Sequence, residues 1–179
     1  MGQIYPFEGE KLLVGVIYHD EGILHTVLDE LRAEFGEIDA VSEEYSFSRG
    51  YSTYYDSELG GEGKRRIYSF SRLVDPSLQA EIKEFTNELE KKHSSPDGGR
   101  LINLDPGLMS HGRFMLSTTK NASFRIPLKR GIYTELTLFY ARGRWQKLMW
   151  TYMDYQSALV LDFLEKVRRV YLKQRKSEE

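Results

Sequence analysis

Six segments in a fixed order constrain this chain more than any single motif does. The first, "KLLVGVIYH" (11–19), is a short apolar run with β-branched residues and reads as a buried strand. Asp20 follows where an N-cap belongs, ahead of a helix whose apolar face is Ile23, Leu24, Val27, Leu28 and Leu31, with Gly36 as its C-terminal stop. A second strand begins near Ile38 and pairs with "RRIYSFSRL" (65–73) across a Gly-, Ser- and Tyr-rich stretch too long for a tight hairpin. "DPSLQAEIKEFTNELEKK" (75–92) opens with Asp75 as N-cap and Pro76 as first helical residue, and carries the stripe Leu78, Ile82, Phe85 and Leu89. "SSPDGG" ends it, and "RLINL" (100–104) supplies the next strand. The order is β-α-β-β-α-β, the split βαβ of ferredoxin-like folds.

After this half, Asp105-Pro106-Gly107 matches a turn with Pro second and Gly third. A three-stranded meander follows: "SFRIPL" turns through Lys129-Arg130-Gly131 into "IYTELTLFYA", which turns at Arg142-Gly143 into "RWQKLMW". The terminal helix presents Leu159, Val160, Phe163, Leu164, Val167 and Val170. The expected fold is α+β in one domain, 1–179. A ferredoxin-like half (11–104) is extended by the antiparallel meander and the C-terminal helix (105–179).

Composition bounds the chemistry. With 12 Tyr and 9 Phe among 179 residues, much of the burial must be aromatic. The absence of Cys excludes disulfides, thiolate chemistry and any zinc site built on Cys. Met-Gly-Gln-Ile-Tyr-Pro is not a signal peptide, and Pro6 stands where a myristoylation motif wants Ser or Thr. No apolar stretch approaches membrane-spanning length, so a cytoplasmic protein without membrane partners is expected. The net charge of −2 hides a split. Residues 1–99 hold 10 Lys/Arg against 20 Asp/Glu, whereas residues 100–150 hold 9 against 2. Such a split marks either a surface for anionic ligands or two halves that neutralise each other across the fold.

No motif is diagnostic. "GGEGKRR" (60–66) is not a phosphate loop, because Arg65 replaces the Ser or Thr that would bind Mg²⁺ and a strand follows it rather than a helix. Lys83, Thr86, Asn87 and Glu90 fall on one helical stripe, suited to a ligand groove or to a solvated face. Asp105 stands at the end of a central strand as a candidate acid or base. Thr118, Thr119 and Lys120 offer an anion cradle. Arg125 faces Glu135 across the hairpin, as an anion-holding residue or as a structural pair. His19, His25, His93 and His111 show no metal-ligand spacing, so no metal is expected. Arg142, Arg144, Trp145, Lys147 and Trp150 interleave base with ring as single-strand binders do, and so do hairpins that bury Trp under Arg stems.

"TYY" (53–55) with Glu58 and Gly60, "IKEFTNELE" (82–90), "NLDPG" (103–107), "TTK" (118–120), "RI" (125–126), "GIYTELTL" (131–138) and "WTYMDY" (150–155) together resemble a prokaryotic family catalogued as domain of unknown function 4416. The resemblance spans nearly the whole chain and implies no reaction or cofactor. It implies that the recurring polar positions are Lys83, Asn87, Asn103, Asp105, Lys120, Arg125, Glu135 and Asp154. Phe124 and Met153 depart from the pattern, which has His and Pro there. Loss of the His weakens any mechanism that needs a base at that point.

Three functions are consistent with these residues. One is binding of, or action on, a small anionic metabolite, phosphorylated ones included. Asp105 and Glu135 would be its acid and base, and Lys83, Asn87, Asn103, Lys120, Arg125 and Asp154 its binding residues. This reading expects Lys83, Asp105, Lys120 and Arg125 to line one pocket. The second is a nucleic-acid or nucleotide module using the basic 100–150 segment. The third is a scaffold subunit without chemistry, docking the basic "KVRRVYLKQRK" end on a neighbouring copy's acidic half.

Overall fold

A computed structural model describes residues 2–177 of the chain. Its elements are β1 (Glu10–Tyr18), α1 (Glu21–Phe35), β2 (Ile38–Val41), β3 (Tyr45–Ser46), α2 (Phe47–Gly50), α3 (Asp56–Leu59), β4 (Lys64–Val74) and α4 (Gln79–Lys92). They continue with β5 (Ile102–Met109), β6 (Arg113–Thr118), β7 (Ile126–Pro127), β8 (Tyr133–Ala141), β9 (Arg144–Lys147) and α5 (Ala158–Ser177). The architecture is α+β, built on one antiparallel sheet in the order β2-β4-β1-β5-β6-β8-β7. β3 joins β4, and β9 joins β8.

β1 is apolar from Leu12 to Tyr18 because both of its faces are covered. Leu12, Val14, Val16 and Tyr18 pack with Leu24, Val27 and Leu31 of α1 and with Ile82 and Leu89 of α4. On the other face Leu13 packs with Val160, Leu164 and Val167 of α5. The helix ends follow their capping residues. The Asp20 carboxylate accepts from the Ile23 N–H at 2.9 Å, and Gly36 takes the positive φ of 87° that closes α1. Asp75 accepts from the Ser77 N–H, and a short 3₁₀ turn over Pro76–Leu78 precedes α4. Leu78, read from the sequence as part of the apolar stripe, is instead about half exposed on that turn.

Asp105-Pro106-Gly107 is not a turn. β5 runs straight through it to Met109, and the chain reverses at Ser110–Gly112, where the Ser110 N–H donates to the Arg113 carbonyl at 2.9 Å. Gly107 is there for close packing: a Cβ on it would stand 2.8 Å from the Met115 carbonyl oxygen of β6. Pro106 explains what happens next. Along β5, the backbone groups of Leu104, Pro106 and Leu108 face the β6 edge by alternation. The β5–β6 ladder holds over Gly107–Met109 and stops at Pro106, which has no N–H to give. The sheet splits there, while β6 continues along β8.

The open edge at Leu104 is closed by α4. Glu90 accepts from the Leu104 N–H at 2.6 Å, and the Lys83 ammonium donates to the Leu104 carbonyl at 2.8 Å. The polar stripe of α4 divides: Lys83 and Thr86 are buried, Lys83 and Glu90 serve the strand edge, the Thr86 hydroxyl bonds the Lys83 carbonyl of its own helix, and Asn87 and Glu90 line a groove. In the second half, β6 takes one edge of β8. β7 and β9 share the other, β7 at Thr134–Tyr133 and β9 at Leu138–Ala141. Only Ile126 and Pro127 of "SFRIPL" are strand.

Replacing Lys83 with Met keeps most of the packing but leaves a buried carbonyl without its donor. Lys83→Met is expected to lower stability by about 1–3 kcal/mol, read from the urea unfolding midpoint. An unchanged midpoint would show that the edge does not depend on this residue.

Candidate functional site

Where β5 and β6 part, the α5 face of the sheet encloses a cavity of about 100 Å³. Its floor comes from Ile17, Arg65, Asp105 and Glu135, its walls from Phe47, Tyr55, Tyr152, Asp154 and Tyr155, and Leu116, Ser117 and Thr118 of β6 complete it.

Arg65 organises this site. It points from β4 into the same layer as Ile67, and it is 4% exposed. One guanidinium nitrogen meets Asp105 at 3.0 Å, and another meets Asp154 at 3.0 Å. It also donates to the Tyr155 hydroxyl at 3.3 Å and lies against the rings of Phe47 and Tyr155. Gly15, the one small residue in the apolar run of β1, makes room for it. A Cβ there would sit 2.5 Å from an Arg65 nitrogen and 3.2 Å from the Tyr155 hydroxyl. Burial alone would weaken the Arg65 charge, but Asp154, the two tyrosines and Asp105 hold its pKa well above the ordinary value. Tyr45 adds a hydrogen bond to Asp154 at 3.0 Å. Burial pushes the Tyr45 and Tyr155 hydroxyls up. It takes Tyr55 to about 12, with the Asp105 charge adding to the effect.

Glu135 is the second carboxylate on the floor. It shares a face with Leu138 because the β6–β8 register shifts between Phe114 and Met115. The residue is 1% exposed, and one oxygen accepts from Arg125 at 2.8 Å while the other has no partner. Burial raises its pKa, Asp105 adds to the rise, and Arg125 opposes it.

The residues expected at the site divide. Asp105, Glu135 and Asp154 line the cavity. Arg125 stands behind Glu135, and each of its three nitrogens is engaged, with Glu135, the Lys120 carbonyl at 2.8 Å and the Tyr152 hydroxyl at 2.7 Å. Lys83 belongs to the other side of the sheet, and the Lys120 ammonium lies over the Tyr54 ring. The single pocket expected for Lys83, Asp105, Lys120 and Arg125 does not form. Nor does the Thr118–Lys120 cradle, since the Thr118 hydroxyl is taken by the Lys120 N–H. Asn103 is buried with its oxygen on Arg100 at 2.6 Å. Asn87 lies outside the cavity, in a groove of about 690 Å³ with Lys91, Arg100 and Thr119. Sequence reasoning missed Arg65, Tyr45 and Tyr155. The available signal was the pairing of a glycine inside an apolar run with an arginine two residues before Ile67 in the next strand.

Of the basic and aromatic hairpin residues, Trp145 is buried in the core. Trp150 donates to the Leu136 carbonyl and stacks on Phe124. Among the described residues no cluster of three or more His, Asp or Glu is placed to hold a metal ion. None of their helices is long and apolar enough to cross a membrane.

These features define an α+β protein with one antiparallel sheet and a charged cavity where that sheet splits. The chain belongs to the family described as Domain of unknown function (DUF4416), whose model matches residues 8–171. No curated protein and no solved structure matches it.

The Arg125–Glu135 pair is 9% and 1% exposed, so truncating either partner strands a buried charge. Arg125→Ala and Glu135→Ala are each expected to cost about 3–5 kcal/mol, and the double variant less than their sum, in a denaturant-unfolding cycle. The raised pKa of Glu135 also has a signed consequence. Its protonated form is favoured by folding, so its stabilising contribution is full below the unfolded value of 4.5 and is lost as pH rises through the higher folded value. Glu135→Gln should therefore gain stability relative to the parent protein as pH rises above 4.5. A difference that is flat with pH, or reversed, would contradict this.

Proposed function

We propose that the cavity binds one end of a small metabolite and acts on it with two carboxylates. The observation that carries this reading is Glu135, a 1% exposed carboxylate with an unpartnered oxygen on a cavity that Asp105 also lines. Other buried polar atoms, Glu10 Oε2 among them, also lack a partner, so what distinguishes Glu135 is its place on the cavity beside Asp105. Burial raises the pKa of Glu135 against the pull of Arg125, which suits a group that exchanges a proton with a ligand. Asp105, fixed by Arg65 but with its second oxygen free on the cavity side, suits the base. Asp154, Tyr45 and Tyr155 orient Arg65 and touch the ligand less directly.

The anionic character expected of the metabolite has little support. Arg125 has no nitrogen to spare, and in the neighbouring groove Lys91 is already held by Glu88 and Arg100 by Glu58, Glu90 and the Asn103 oxygen. The strand order β5-β1-β4-β2, with α1 and α4 on one face, supports a ferredoxin-like first half. The nucleic-acid reading has less support, because Trp145 and Trp150 use their rings within the fold. The scaffold reading is weakened because Arg175 of the basic end already pairs with Glu8 of the same chain.

A thermal-shift screen of amino, carboxylate and phosphate metabolites tests the proposal. A ligand at about 100 times its Kd adds about 2.7 kcal/mol, a rise of roughly 5–10 °C in a chain of this size. The shift should vanish in Asp105→Asn and Glu135→Gln. A shift that survives in both variants, or no shift from any ligand, would count against a site here.

A further inference from the structure

The cavity is too small for a whole metabolite. Its volume of about 100 Å³ is less than the roughly 150 Å³ that encloses one benzene. It can take only the end of a ligand. The wall it shares with the outer groove shows where the rest goes. Thr118 lines the cavity and Thr119 the groove, and Tyr55 of the cavity carries Arg100 of the groove against its ring at 5.6 Å.

The polar atoms facing the cavity set the chemistry of that end. Glu135 offers one unpartnered oxygen, and Asp105 offers the oxygen that Arg65 does not hold. Three carboxylates, Asp105, Glu135 and Asp154, stand against two guanidiniums, Arg65 and Arg125. With Glu135 ionised, one negative charge is left over among two buried carboxylates and the partly exposed Asp105, where an uncompensated charge is costly. The Arg65 Nε and the Ser117 hydroxyl are also unpartnered, and they would suit a hydroxyl. A hydroxyl, however, leaves the excess charge where it is.

Building on the small-molecule reading above, we infer that the ligand enters by a primary amine, held as an ammonium between Asp105 and Glu135, with its body running over Tyr55 and Thr118 into the groove. The ammonium supplies the missing positive charge and donors for both free oxygens in one group.

The test is a ¹H–¹⁵N NMR titration of the full chain with pentylamine, pentan-1-ol, pentanoate and 5-aminopentanoate at matched ionic strength. Pentylamine and 5-aminopentanoate should shift the amides of Asp105, Thr118 and Glu135, and the alcohol and pentanoate should not. Asp105→Asn should weaken amine binding at least tenfold. Glu135→Gln should weaken it in the same direction, which covers the case where one variant fails to fold. Binding of pentanol or pentanoate in place of the amines, lost in Asp105→Asn, would overturn the amine while leaving the site standing. Amine shifts unchanged in both variants would mean general attraction to an acidic surface, and would overturn the inference. Absence of shifts with all four probes would overturn it too. The metabolite screen would then judge the site by itself.

Discussion

The guanidinium of Arg65, buried between Asp105 and Asp154, is the interaction on which the rest of the site depends. It ties together three parts of the chain that are distant in sequence: β4, β5 and the turn before α5. Such an ion cluster contributes little net stability against an apolar replacement, because desolvation offsets the attraction, but removing one member is costly. Its value here is positional. It fixes Asp105 at the break in the sheet, and it holds the Asp154–Tyr155 turn over the cavity. The glycine at position 15 is the local concession that permits it.

A second constraint is Pro106. By withholding one N–H it ends the β5–β6 ladder and opens the gap in which the cavity lies. The opened edge would be a liability if its backbone groups were left unpaired. Lys83 and Glu90 close it from α4, and burial raises the pKa of Glu90 while Lys83, the Leu104 N–H and Arg100 pull it back. The same proline thus opens the cavity and sets the side chains needed on the far face. Two of the polar residues on α4 that suggested a binding groove, Lys83 and Glu90, are the answer to a strand-edge problem.

How much of this was legible in the sequence varies with the range of the interaction. The caps Asp20 and Asp75, the Gly36 stop and the buried run of β1 were readable because each is decided within a few residues. The Arg125–Glu135 pair was readable for the same reason, since a three-residue turn sets the register across the hairpin. Asp105-Pro106-Gly107 was misread because its composition fits a turn as well as it fits a strand whose ladder stops. Only the approach of β6 to Gly107 separates the two. Arg65 was not legible as a site residue, because its partners Asp105 and Asp154 lie 40 and 89 positions away. The positions implied by the family resemblance were a mixture of both kinds. Asp105, Glu135 and Asp154 meet at the cavity, while Lys83 and Asn103 hold the backbone and side chains around it.

The central claim is that Glu135 stands in the unliganded protein as a buried carboxylate only half compensated by Arg125, ready for a donor from outside. A ¹³C-carboxyl NMR titration of Glu135 tests this most directly. The account predicts a midpoint above the ordinary 4.5 in the free protein, falling when a cationic ligand binds. A midpoint at or below 4.5 without ligand would show that Arg125 alone satisfies the carboxylate, and that the cavity has no acid waiting in it.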